Sequence, residues 1–131
     1  EELLFRGAIT PALIRQYSPI KAILISALFF GLFHINPAQI LPAFLIGILL
    51  AWIYYKTASL VPCILMHIIN NSLSVYLTLK YPASNTIEEL IGGDYYLWLI
   101  LASVILLLVS VWGIKKNPTQ YAWDRENNNL L

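Results

Sequence analysis

Residues 95–114 read YYLWLILASVILLLVSVWGI, twenty successive positions without one Asp, Glu, Lys or Arg. As a helix that stretch rises about 30 Å, the thickness of the hydrocarbon core of a bilayer. A backbone inside lipid has no water to bond, so it must close its own hydrogen bonds as a helix or a sealed barrel. Three more apolar segments of roughly spanning length stand at about 20–35, 39–55 and 60–79, and a shorter mixed segment at 1–15 has helical patterning. The prediction is an all-α, polytopic transmembrane bundle of about five helices. Composition supports it: 59% of the residues are hydrophobic and 11% charged, whereas soluble domains average about 25% charged. A soluble chain of this size could not hide so much apolar side chain. The net charge of +1 argues against nucleic acid as a partner. The single cysteine, Cys63, reads as a buried, inert thiol.

The chain opens EELLFRG, with neither an initiator Met nor a signal peptide. It is expected to be the C-terminal part of a longer protein whose N-terminal helices are missing here. A membrane core at 1–114 and a polar tail at 115–131 are the expected divisions. Pro19 suits a first helical turn, and Pro42 and Pro62 stand near helix starts. Ala43, Gly47 and Ala51 form a small-residue stripe that lets another helix approach closely. Aromatic residues gather where interfaces belong: Trp52, Tyr54 and Tyr55; Tyr95, Tyr96 and Trp98; Trp112. With segments crossing alternately, Arg15, Lys21, Lys56, Lys115, Lys116 and Arg125 share one side. Lys80 faces Glu88, Glu89 and Asp94 on the other. The excess of basic residues makes the first side, and the C-terminus, cytoplasmic.

Ionisable groups at membrane depth are costly and by default mark function. The sequence holds few: Glu1, Glu2, Arg6, His34 and His67, with Asn70 and Asn71 beside the last. Glu2 and Arg6 are spaced i, i+4 and can pair, while Glu1 points about 100° away on the helix. His67 and Asn71 share a face that Ser74 and Thr78 continue. Polar stripes of this kind also serve for helix–helix hydrogen bonding without chemistry, and a lone His at a helix end is more often an interface residue than a ligand. Depth decides in favour of function. Glu1, His34, His67 and Asn71 lie roughly 21, 20, 11 and 17 Å from the cytoplasmic ends at 1.5 Å per residue, so all four can line one cavity.

EELLFR fits E-E-x-x-x-R, FGLFH fits F-x-x-x-H and HIINN fits H-x-x-x-N, in that order along the chain. This ordered triple resembles the signature of the CPBP family of intramembrane proteases, which includes CAAX prenyl endopeptidases and the bacterial Abi proteins linked to bacteriocin immunity. The resemblance covers residues 1 to about 74. It implies peptide-bond hydrolysis in the membrane, on a membrane-anchored or lipidated peptide or protein. Under it, Glu1 is the base that activates water and His34 helps to hold that water. Glu2 and Arg6 orient the site. His67 and Asn71 act as metal ligands or as donors to the oxyanion. A divalent metal, zinc above all, on Glu1, His34, His67 and Asn71 is the cofactor to expect if one is used, although the H-E-x-x-H spacing of soluble zinc proteases is absent. The expected setting is a multi-pass protein of a bacterial cell membrane, in contact with lipid. Two other classes compete: a non-catalytic immunity or scaffold protein, and a transporter subunit with a polar path. A transporter more often shows helices broken in mid-span by Gly or Pro.

Overall fold

The computed structural model of the chain describes residues 1–81, 89 and 93–116. Among them every regular element is helical, and five helices follow one another. Helix α1, residues 2–16, is a composite: a turn at Glu2–Leu4, a π-helical turn at Phe5–Ile9, then α-helix at Thr10–Gln16. Pro11 accounts for the wide turn. It has no N–H to give, and in α geometry its ring would press on the carbonyl of Gly7. Instead Thr10 N–H reaches back to Phe5 O, and the turn before the proline opens.

Helix α2, Pro19–Phe33, has Pro19 in its first turn, as expected. It ends in a tight corner. Ile35 takes φ 59°, and the N–H of Asn36 turns back to His34 O. That is a γ-turn centred on a β-branched residue, a costly conformation that the short connection forces. The side chain of Asn36 then accepts from Ala38 N at 3.1 Å and caps helix α3, Pro37–Thr57. Ala58, at φ 50°, turns the chain into α4, Leu60–Lys80. Helix α5 is Gly93–Lys116.

Three helices, Pro37–Thr57, Leu60–Lys80 and Tyr95–Lys116, are long and apolar enough to cross a membrane. Helix α2 is a shorter apolar helix: its 15 residues, against the segment read at about 20–35, rise about 22 Å beside a core of ~30 Å. Pro42 also lies farther in than expected, inside α3. The expected loop (82–88 and 90–92) and tail (117–131), and with them Glu88 and Arg125 of the charge sorting, lie outside the described residues.

The described residues divide into two units, 1–68 and 69–116. In the first, Phe5, Phe30 and Ala43 form one buried cluster and Leu50, Ile53 and Cys63 another. The small-residue stripe works as expected: Ala43, Gly47 and Ala51 are buried. A Cβ on Gly47 would stand 3.2 Å from Ala27 Cα, and one on Gly31 2.9 Å from Ile40 O, so α2 and α3 meet nearly backbone to backbone. Two buried polar contacts join the helices: Thr10 Oγ1 and Ser26 Oγ lie 2.7 Å apart, and Cys63 donates to Leu50 O at 3.4 Å. Cys63 is thus buried as read.

In the second unit the hydroxyls of Thr78, Ser103 and Ser110 each donate to the carbonyl four residues back, at 2.8–2.9 Å. That back-bonding leaves no hydroxyl proton to lipid. Large side chains such as Leu106, Leu108 and Trp112 are exposed on α5, as a lipid-facing helix requires.

Candidate active site

The first unit gathers Glu1, Glu2, Arg6, His34 and His67, five of the seven polar residues singled out in the sequence. Arg6 is wholly buried and its Nη1 donates to Glu2 Oε1 at 3.0 Å, so the i, i+4 pair forms as the spacing predicts. Burying a pair costs desolvation, and removing one partner leaves a charge stranded. Two further contacts hold Arg6 in place. Its Nη2 donates to Gly47 O at 3.0 Å, and its guanidinium lies 4.3 Å from the centre of the Phe30 ring.

Glu2 Oε1 has a second donor. His67 Nδ1 approaches it at 2.8 Å, across 65 residues of sequence. A carboxylate only accepts, so Nδ1 carries the proton. His34 is fixed in the same sense: its Nδ1 donates to Phe30 O at 2.9 Å, one turn back along α2. In its neutral form each imidazole then presents a bare Nε2 lone pair. Both lone pairs lie near one oxygen. Glu1 Oε2 is 3.9 Å from His34 Nε2 and 3.8 Å from His67 Nε2. Glu1 is 40% exposed, against 5% for Glu2, so the first acid is open to solvent or substrate while the second is sealed behind the histidine.

These separations are too long for direct hydrogen bonds and suit one water in contact with all three groups. The donor chemistry, two imidazole nitrogens and a carboxylate, is also of a kind that divalent cations accept. The spacing is wider than the ~3.3 Å between neighbouring donors of a tetrahedral zinc ion, given bonds of about 2.0–2.1 Å. Among the described residues no group of three His, Cys, Asp or Glu side chains is drawn close enough to hold a metal ion. Asn71 lies in the second unit, where its Oδ1 accepts from Asn70 Nδ2 at 3.3 Å.

Three features of the site carry no signal in the sequence. Nothing in the order of residues pairs Glu2 with His67, brings the carbonyl of Gly47 to Arg6, or sets Phe30 edge-on against both imidazoles, at 5.0 Å from His34 and 5.6 Å from His67.

The fold and the cluster define a class: helical integral membrane proteins with a carboxylate–imidazole centre inside the bundle. The chain belongs to the Rce1-like type II CAAX prenyl endopeptidases, whose family model matches residues 1–73. That match takes in α1 to α3, most of α4 and all three motifs. No curated protein and no solved structure matches the chain.

Proposed function

We propose that this protein hydrolyses a peptide bond of a membrane-anchored or lipidated substrate, with Glu1 as the general base. One observation carries the reading: a single carboxylate oxygen of Glu1 faces the Nε2 atoms of His34 and His67 at 3.9 and 3.8 Å. Water placed among them gives one proton to Glu1, and its oxygen attacks the carbonyl carbon of the scissile bond. Its second O–H donates to one of the two Nε2 lone pairs, and the two imidazoles between them set the direction of that water. Glu2, neutralised by Arg6, keeps the proton of His67 on Nδ1 and so keeps Nε2 free to accept. Asn71, one turn beyond His67 in α4, is assigned to donate to the oxyanion. When the intermediate collapses, the proton on Glu1 passes to the leaving amine and the C–N bond breaks. Membership of an endopeptidase family supports the reaction type. Cleavage near the C-terminus of a lipidated peptide, or removal of a bacteriocin-type leader, is the substrate range that follows.

The test is single-turnover cleavage of membrane-anchored peptides by the full-length protein in liposomes. Glu1→Gln keeps size and hydrogen bonding but cannot take the proton, and its rate should fall by about 10²–10⁴. His34→Ala and His67→Ala should fall as far, and Asn71→Ala by about 10²–10³. Full activity in a folded Glu1→Gln variant overturns the base assignment. A chelator arm reads the metal. Unchanged cleavage assigns Glu1, His34 and His67 to water alone, and loss restored by zinc assigns those residues and Asn71 to an ion.

A further inference from the structure

Phe30 is 1% exposed, and its ring lies against both histidines, Arg6 and Phe5. It stands edge-on to His34 at 65° and to His67 at 73°, edge-on to Phe5 at 5.1 Å, and beneath the guanidinium of Arg6. Each imidazole has one hydrogen bond on its Nδ1 side. That bond, with the covalent anchor at Cγ, sets the tautomer and general direction of each ring, but a hydrogen bond bends easily and leaves each ring some freedom to tilt. A flat, rigid neighbour against both rings removes that freedom.

The ring is itself wedged. A Cβ on Gly47 would fall 3.1 Å from Phe30 Cδ1, so the ring occupies the space that a side chain at 47 would fill. The carbonyl of the same glycine holds Arg6 against the ring. Helix α3 therefore seats Phe30 from behind while clamping the cation above it.

We propose that Phe30 is the positioning residue of the site, aiming the Nε2 atoms of His34 and His67 at Glu1, with Gly47 as its seat. The assignment rests on the hydrolytic reading above. It places in the working centre a residue with no acid–base chemistry, and a glycine remote from every motif.

The experiment is steady-state cleavage of one membrane-anchored peptide by the full-length protein, with pH profiles, for Phe30→Leu, Gly47→Ala and their double variant. Misaiming a reacting group by an ångström costs about 10²-fold in rate. Phe30→Leu should lower kcat by that order, leave KM within about two-fold and displace the pH–rate profile. Gly47→Ala, which pushes the ring, should fall in the same direction, and the double variant should be no slower than Phe30→Leu. Ile53→Val, in the separate Leu50–Ile53–Cys63 cluster, should lose stability and keep kcat. If Gly47→Ala does not fold, Phe30→Leu and its pH profile decide alone. A folded Phe30→Leu variant with parental kcat and pH profile overturns the assignment, as do losses in the two variants that simply multiply. Glu1→Gln run alongside keeps the readings apart: its survival sinks the base assignment, whereas survival of Phe30→Leu sinks only the positioning one.

Discussion

Glu1 and Glu2 are neighbours in the chain and opposites in environment. Glu2 is sealed with its countercharge and a histidine, and Glu1 faces the two free imidazole nitrogens from a position 40% exposed. Adjacent acids on a helix point about 100° apart, which is what allows one to serve as support and the other as base. Removal of the support is expected to be costly. Arg6→Ala strands the Glu2 carboxylate in the interior and should destabilise the protein by about 3–5 kcal/mol. Thermal unfolding in detergent measures it, and an unchanged midpoint would show that the pair contributes nothing to the fold. Ile35 makes the opposite case. Its φ of 59° is strained for a β-branched side chain that is 86% exposed. Ile35→Asn should gain about 1 kcal/mol, because Asn tolerates the left-handed region. A lower melting temperature would show that the Ile35 side chain stabilises the corner more than its backbone strains it.

Between helices, glycine decides where two axes can approach. A Cβ at Gly31 would meet Ile40 O at 2.9 Å and Phe44 N at 3.2 Å, both backbone atoms that cannot rotate aside. Gly31→Ala should therefore push α2 from α3 and cost about 1–3 kcal/mol. In α5 a Cβ at Gly113 meets nothing within 4 Å. Gly113→Ala should be neutral or gain about 0.5–1 kcal/mol from helix propensity. Only the Gly31→Ala melting curve should fall, and equal shifts would remove the close-packing account of Gly31. The π turn at Phe5–Ile9 belongs to the same scale. It arises from Pro11 and includes Arg6, so the element that carries the buried cation is shaped by a proline five residues on.

For the molecule as a whole, the helices and the family place the chain in a membrane, and the basic residues propose its orientation. Lys115 and Lys116 close α5, opposite in sequence to Lys80 at the end of α4. If the basic end is cytoplasmic, a cysteine at position 116 should react with an impermeant thiol reagent in inverted vesicles and not in intact cells. Labelling confined to intact cells reverses the topology. Cys63 is buried and should stay silent in both.

The sequence alone determined that the chain is helical and built for lipid, because long uncharged runs leave the backbone no other way to close its hydrogen bonds. It also determined the Glu2–Arg6 pair, since helix periodicity places i and i+4 together whatever surrounds them. It marked Glu1, His34, His67 and Asn71 by residue type, order and depth. The exact reach of a helix was less legible: α2, read to about residue 35, stops at Phe33 because the chain turns sharply through Ile35, and α3, read at about 39–55, runs Pro37–Thr57. Only the tertiary structure decided that His67 gives its Nδ1 proton to Glu2, that one oxygen of Glu1 faces both free nitrogens, and that Phe30 and Gly47 hold them there. Periodicity fixes the angles within one helix. The rotation and approach of two helices are set by the side chains between them, and here by a glycine that brings no side chain at all.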